Sequence, residues 1–325
     1  MKKALVLGAT GGTGKVIAQE LVGRGIQVVL FGRTVEKLEA LKAELGGSDL
    51  VRLYAGDVFN AVHVAEAAQG TQVIFHAASV PYHEMEEKLL PMARAVLAGA
   101  EQAGAKVVAV DGIYPYGKRI SAQPIREDFP KQPHTRKGRT KLEFEQLLFD
   151  PRYDGVAKLI VRLPDYYGPS MNQASYLGKT FEDIAAGKPT VFIGSQKVPR
   201  EFVYLPDAGK MIVELALREE AYGQNWHIPS AGPIAGYRLV ELAQKSAGSG
   251  KPVISLGRAS LSLLGVFVPV MKEIVEMLYL TEKPLLLSGA KYEALIGPMP
   301  VTPYEQGVAR TIEAMQGRAI ERESK

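Results

Sequence analysis

Cysteine is absent from the 325-residue chain. Disulfides, thiolate metal sites and a cysteine nucleophile are therefore excluded, and a reducing compartment suits what remains. No metal-binding cluster of another kind is read. Missing too is any long uninterrupted apolar run. The most hydrophobic stretch, SLLGVFVPVMKEIVEMLYL at 262–280, is broken by Pro269, Lys272, Glu273 and Glu276, whereas a membrane-spanning helix needs about 20 predominantly apolar residues. The apolar start ends at Leu7 and gives way to Gly8, too short for the hydrophobic region of a signal peptide. These absences predict a cytoplasmic protein with no membrane partner. A concentrated basic stripe is lacking as well. The 39 basic and 35 acidic residues are interspersed and leave a net charge of +4, too mild a balance to predict a nucleic-acid partner.

What the chain does have, through about residue 165, is an alternation of short valine-rich runs with helix-like segments. KALVLGA, QVVLFG, DLVRLYAGD, QVIFHAAS, KVVAVDG and AKLIVRLP are expected strands. GKVIAQELVGRG, TVEKLEALKAELGG, AVHVAEAAQG, EEKLLPMARAVLAGAEQAG and TKLEFEQLLFD lie between them as expected helices. Apolar runs of this kind suit strands covered on both faces, and the alternation predicts an α/β fold with a doubly wound parallel sheet. After Pro169 the rhythm loosens into helical segments mixed with short strands such as PTVFIG and NWHIPS. The expected division is 1–169 for a dinucleotide-binding Rossmann domain and 170–325 for a smaller, mainly helical substrate lobe intertwined with it. The charged tail GRAIERESK is expected to fray.

The stretch LVLGATGGTGKVIAQEL carries Gly8, Gly11 and Gly14 between the first strand and the first helix. A tight turn there favours a residue tolerant of positive φ, and close approach of backbone to a bulky anion excludes a Cβ. The helix N-terminus offers free N–H groups and a partial positive charge to a diphosphate. Thr10, Gly12 and Thr13 share that turn, so a dinucleotide is the expected ligand. The second expected strand ends in Arg33 and carries no acid. A guanidinium suits a 2′-phosphate better than bare ribose hydroxyls, which predicts NADP, with NAD less favoured. Asp57, closing the third strand, is either an acceptor for the adenine amino group or an ordinary turn residue.

Together these motifs resemble the short-chain dehydrogenase/reductase superfamily, in its extended, epimerase/dehydratase-like branch. The resemblance runs through Gly8-x-x-Gly11-x-x-Gly14, GRTVEKLEAL, Asp57-Val58, HAAS at 76–79, VRLPDYYGP at 161–169 and REFVYLPDAGKMI at 200–212. It implies a Rossmann fold and a nicotinamide cofactor contacted by Ala77, Ala78, Ser79, Lys141 and Pro164. It also implies a substrate near Tyr82, His134, Tyr166 and Arg200, and dimerisation through helices near 84–104 and 139–149.

The resemblance departs from the family at the proton-handling positions. There a serine after the fifth strand and a Tyr-x-x-x-Lys helix motif are usual. Here Gly112 stands at the serine position and Lys137 at the tyrosine position, while Lys141 keeps the lysine. Three readings stay open. In one, Lys137 and Lys141 lie a turn apart on one helical face, and their mutual repulsion brings one ammonium toward neutrality to act as acid or base. In another, Tyr114, Tyr116 or Tyr82 supplies a phenol, assisted by His134 or Asp111. In the third, the protein binds NADP without turnover, as a sensor or scaffold.

Arg200 matches an arginine that grips a diphosphate in nucleotide-sugar epimerases, yet Glu201 follows where aspartate is usual. The apolar stretch LSLLGVFVPVM is expected to line a pocket for an apolar or aromatic carbonyl compound, or else to be core or dimer surface. Asp207 is expected to cap a helix. The favoured reading is an oxidoreductase on a small, fairly apolar carbonyl or alcohol. The alternatives are the sensor and a nucleotide-sugar epimerase or dehydratase.

Overall fold

A computed structural model of the chain describes residues 1–119, 123–173, 175–266, 268 and 270–323. Its first half realises the expected alternation: β1 (Lys3–Leu7), α1 (Gly12–Gly23), β2 (Gln27–Gly32), α2 (Val35–Glu44), β3 (Val51–Ala55), α3 (Ala61–Ala67), β4 (Val73–His76), α4 (Met85–Ala103), β5 (Lys106–Gly112), α5 (Arg136–Leu148) and β6 (Lys158–Leu163). Then come β7 (Asp165–Tyr167), α6 (Gly178–Ala185), β8 (Thr190–Ile193), β9 (Pro199–Arg200), β10 (Phe202–Tyr204), α7 (Leu205–Ala216), β11 (Asn225–His227), β12 (Ile234–Ala235), α8 (Gly236–Ala247) and β13 (Val253–Leu256). The chain closes with α9 (Arg258–Leu264), α10 (Val270–Met277), α11 (Tyr279–Glu282), α12 (Ala290–Leu295) and α13 (Tyr304–Glu323).

Seven strands form one sheet in the order β11-β6-β5-β4-β1-β2-β3, and all its pairings are parallel. Alternate side chains leave opposite faces. Ala4 and Val6 join a core with Ile17 and Leu21 of α1, Leu38 of α2 and Met211 and Ile212 of α7. Leu5 and Leu7 join a second core with Val64 of α3, Leu89 and Met92 of α4 and Phe144 of α5. Each fully buried aliphatic side chain contributes roughly 1.5–3 kcal/mol, so both faces are anchored.

The chain beyond residue 169 returns to this sheet. β11 pairs with the edge strand β6, and α7 packs beside α1. A third core, with Leu177, Phe181, Phe192, Leu239, Val308 and Ile312, holds α6, β8, α8 and α13 together. Three expectations are corrected here. The tail expected to fray continues as the backbone of α13 through Glu323. Asp207 does not cap α7, whose N-cap is Tyr204; its carboxylate accepts from Thr302 N at 2.6 Å and Thr302 Oγ1 at 3.1 Å, tying the helix to a later loop. In the apolar stretch Leu261 is buried, but Leu263, Leu264, Val266 and Val268 are exposed, with Leu263 and Val266 each 68% accessible. Those four line no chamber. Phe267 and Pro269 lie outside the described residues.

Candidate active site

The crevice follows from strand order. β1 is flanked by β4 on one side and β2 on the other, so the connections leave β1 and β4 in opposite directions and open a gap at their C-terminal ends. Gly8 follows β1 and Ala77–Ser79 follow β4. Gly8 has φ +74°, a conformation that favours glycine. A Cβ on it would lie 2.7 Å from Ala78 Cα, and one on Gly14 would lie 2.2 Å from the Gly8 carbonyl oxygen. Backbone therefore passes backbone too closely for any side chain. Gly11 is the N-cap of α1 and offers no side-chain cap, nor does an acid occupy the first turn. The N–H groups of that turn are left for an anion. Thr10 is exposed and Gly12 and Thr13 are partly exposed around it. This cradle fits the pyrophosphate of a dinucleotide.

Farther along the rim, Arg33 is exposed just beyond β2. Asp57 is exposed, and its Oδ1 accepts from Phe59 N at 3.0 Å in a local turn. Val58, Ala77 and Ala78 are partly buried, Ser79 is exposed and Pro164 is buried.

Side-chain alternation aims a row of polar residues at the C-terminal ends of four adjacent strands toward the α5 face. His76, Asp111, Arg162 and His227 share that parity with the buried Ile74, Ala109 and Ile160. Arg162 is fully buried; Nη1 donates to Asp111 Oδ2 at 2.7 Å and to the Gly112 carbonyl at 2.9 Å, and Nη2 donates to Glu145 Oε2 at 2.7 Å. Lys141 Nζ lies 2.6 Å from Asp111 Oδ1. Burial opposes ionisation of Asp111, yet Lys141 and Arg162 hold it below the usual carboxylate range. His76 is neutral, its pKa lowered to about 4 by burial and by Lys141.

Tyr116 belongs to this interior. It is 1% exposed, and its hydroxyl oxygen lies 2.7 Å from His227 Nε2. Burial raises its pKa. His227 in turn is lowered to about 3 by burial and by Arg162. Tyr116 is thus packed behind the strand ends, away from solvent.

Tyr114 and Tyr82 meet instead. Their hydroxyl oxygens are 2.5 Å apart, joining the loops after β5 and β4. The Tyr114 ring stands over Gly112, within 3.8 Å of where a Cβ there would lie. Burial raises Tyr114 well above the usual phenol range and pushes Tyr82 up to about 12. The Asp165 carboxylate adds to the upward shifts of Tyr82, Tyr114, Tyr166 and Tyr176, and burial raises Asp165 itself while Arg200 opposes that rise. Asp165 in turn accepts a hydrogen bond from Arg200 Nη2. The Arg200 guanidinium lies 4.3 Å from the Tyr176 ring and 5.2 Å from that of Phe202.

The structure separates the two lysines electrostatically. Lys137, with no side-chain exposure, pairs with Glu276 at 2.8 Å and with Glu273, both on α10. Lys141 has Asp111. Each ammonium holds its own carboxylate, so the repulsion expected between them is offset. His134 is exposed, just before the Thr135 N-cap of α5, its ring edge against Tyr279 at a centroid distance of 4.5 Å.

The sequence grouped Tyr82, His134, Tyr166 and Arg200 near substrate and named Tyr114 among the proton-handling candidates; the structure joins Tyr82 to Tyr114 and leaves His134 against Tyr279. Sequence reasoning missed Asp165, Arg162, Glu145, Glu273 and Glu276 as partners. The one available signal was strand parity, which puts Asp111 and Arg162 on the same face once β5 and β6 are taken as neighbours. Among the described residues no group of three or more His, Asp or Glu side chains is arranged to hold a metal ion. No helix there is long and apolar enough to cross a membrane.

The model of the NAD dependent epimerase/dehydratase family matches residues 4–228. The chain belongs to this family. Sterol demethylase protein B of Methylococcus capsulatus is 24% identical over 265 residues, covering 78% of this chain and 76% of that protein. Nodulation protein G of Rhizobium sp. is 47% identical, but over 21% of this chain and 27% of its own length. A 2-alkyl-3-oxoalkanoate reductase of Shewanella oneidensis is 42% identical over 23% of this chain and 18% of its own length. The chain thus matches less than a third of the length of these last two relatives. UDP-glucuronic acid 4-epimerase from Bacillus cereus, solved with NAD, superposes with a TM-score of 0.79 at 18% identity, covering 97% of this chain and 99% of that one. A dTDP-glucose 4,6-dehydratase from Streptomyces venezuelae, also with NAD, gives 0.80 at 19% identity with both chains fully covered. These likenesses establish the Rossmann-type fold with its helical C-terminal part.

Proposed function

We propose that this protein is an NADP(H)-dependent oxidoreductase acting on a small, fairly apolar carbonyl compound or the corresponding alcohol, with Tyr114 handling the proton. The observation that carries the reading is the Tyr114–Tyr82 hydroxyl pair standing over Gly112. A phenol is thereby offered at the strand end where the family's serine is missing. The Gly8–Gly14 turn is assigned to the pyrophosphate, Arg33 to the 2′-phosphate and Lys141 to the nicotinamide ribose. Bound there, the nicotinamide supplies or accepts the hydride.

A phenol is protonated at neutral pH, and burial moves Tyr114 further in that direction, so it meets the substrate oxygen as a hydrogen-bond donor. As negative charge develops on that oxygen it becomes more basic than a phenolate, even one whose conjugate acid is raised above its usual range, and the proton moves across. Tyr82 is 37% exposed and passes a replacement from solvent through the shared hydrogen bond. Lys137 is assigned the role of anchoring α10 beside the Tyr82 turn. Homodimerisation through α4 and α5 is part of the same reading and is checked by sedimentation.

The test is consumption of NADPH with a panel of apolar ketones and aldehydes. Tyr114→Phe should lower kcat about 100-fold or more, Tyr82→Phe should lower it less, and Lys137→Met should leave it within severalfold. Arg33→Ala should weaken NADPH by about 10- to 100-fold and leave NADH unchanged; equal losses would overturn the cofactor assignment. The second reading, an NADP sensor without turnover, draws support from the engagement of Lys137 and Lys141 with carboxylates. It prevails if NADPH binds tightly and no member of the panel oxidises it.

A further inference from the structure

Arg200 is 4% exposed and packed against two aromatic rings. A guanidinium so far out of water needs a countercharge. A bound phosphate or carboxylate is one solution, because the planar fork of an arginine matches either anion. This chain supplies another from within. Asp165, three residues beyond Arg162 on the chain and at the start of β7, accepts directly from Arg200 Nη2. Its side chain remains 31% exposed, and it opposes the ionisation of Tyr82, Tyr114, Tyr166 and Tyr176.

An anionic substrate entering here would meet the Asp165 carboxylate beside the guanidinium, whose charge is already paired through Nη2, although its buried Nη1 has no hydrogen-bond partner among the described residues. The neighbouring cations offer no better anchor. Lys137 is held by Glu273 and Glu276, Lys141 by Asp111, and Arg162 by Asp111 and Glu145. An uncharged carbonyl compound loses nothing by this arrangement, since phenols provide donors and ring faces provide apolar contact.

We infer that Asp165 determines substrate class: by pairing with Arg200 it withholds this ring-packed guanidinium from phosphate and carboxylate groups and reserves the space beside it for an uncharged substrate. The inference rests on the reading above only in placing substrate among these tyrosines. Exclusion of the anion comes from repulsion and from the lack of an unfilled countercharge, two effects that add in the same direction.

The test is calorimetric and needs no turnover. Inorganic pyrophosphate is titrated into protein already saturated with NADP+, which blocks the glycine turn. The wild-type protein should give little heat, and Asp165→Asn should bind pyrophosphate at least tenfold more tightly. Asp165→Ser serves as a second variant should the asparagine protein be poorly folded. In a thermal melt, pyrophosphate should restore much of the stability that Asp165→Asn loses and should leave the wild-type midpoint unmoved. Equal affinity for pyrophosphate in wild type and variants would overturn the inference, as would tight binding by the wild type. Failure of the functional reading is recognised separately, by NADPH that binds and is oxidised by no member of the panel; with the turn blocked by cofactor, the wild-type and variant pyrophosphate isotherms still differ or agree on their own.

Discussion

The two ends of the crevice obey different physics. At the Gly8–Gly14 turn the ligand-facing surface is backbone, and its shape is enforced by contacts that no side chain survives: 2.7 Å from a Gly8 Cβ to Ala78 and 2.2 Å from a Gly14 Cβ to the Gly8 oxygen. At the ends of β4, β5 and β6 the surface is side chains, held by ion pairs between residues 51 and 17 positions apart, as Arg162 is to Asp111 and Glu145. The first end is set by backbone clearance, within the turn and against Ala78 after β4, and tolerates almost no change. The second is assembled from distant segments, and its partners can be exchanged together.

Substitutions at the two ends should therefore fail differently. The largest effect is expected from Asp111→Ala, which leaves the fully buried Arg162 with Glu145 alone and frees Lys141. Removing one member of a buried ionic group costs about 3–5 kcal/mol, read as a shift in the urea midpoint. Glu201 comes next. It is 6% exposed, accepts from Leu287 N at 2.7 Å, and is raised to about 7 by burial from its ordinary 4.5. Because the unfolded chain loses this proton first, the folded state is the stronger proton binder between those pH values. Its contribution to stability is complete below the unfolded pKa and declines as pH rises through the folded one, by up to about 3 kcal/mol. Glu201→Gln should flatten that slope in denaturation measured from pH 5 to pH 8, about the interval over which the wild type weakens.

Gly14→Ala probes the steric end. Helix propensity favours alanine there by about 1 kcal/mol, but overpacking against the Gly8 carbonyl costs about 1–3 kcal/mol. Because the added Cβ would meet the Gly8 backbone at 2.2 Å, the protein should lose stability overall, and dinucleotide affinity should fall as well, since the cradle itself must open. A loss of stability with unchanged affinity would show that the turn does not hold the pyrophosphate. The smallest effect is expected from Tyr116→Phe, which removes one buried hydrogen bond to His227 and costs about 1 kcal/mol. Turnover, where found, should stay within twofold. A large loss of turnover at normal stability would move the proton donor from Tyr114 to Tyr116.

Much of the scaffold was legible because it depends on short-range rules. Valine-rich runs and their spacing locate β1 to β6, and the glycine triplet marks the turn after β1. NWHIPS was legible as a short strand, realised as β11, but its return to pair with β6 was not, because three paired residues carry no signal of their partner. Asp207 misled for a related reason. It stands at the start of a helix, where capping is the common role, yet a loop 95 residues later claims its carboxylate. In the candidate site, Tyr114 and Tyr82 could be named from their places after β5 and β4. Their union could not, nor could the burial that sets Tyr116 apart from them, since two residues along one loop turn in opposite directions.

By itself the amino-acid order determined the class of fold and the glycine turn that follows β1, because strand and helix rhythm and a positive φ are governed by conformational limits acting over a few residues. Tertiary structure alone decided which phenol faces the crevice and which carboxylate each cation holds. Charges and hydroxyls interact through space over a few ångströms, and along this chain the groups that meet there are separated by as many as 139 positions, as Lys137 is from Glu276.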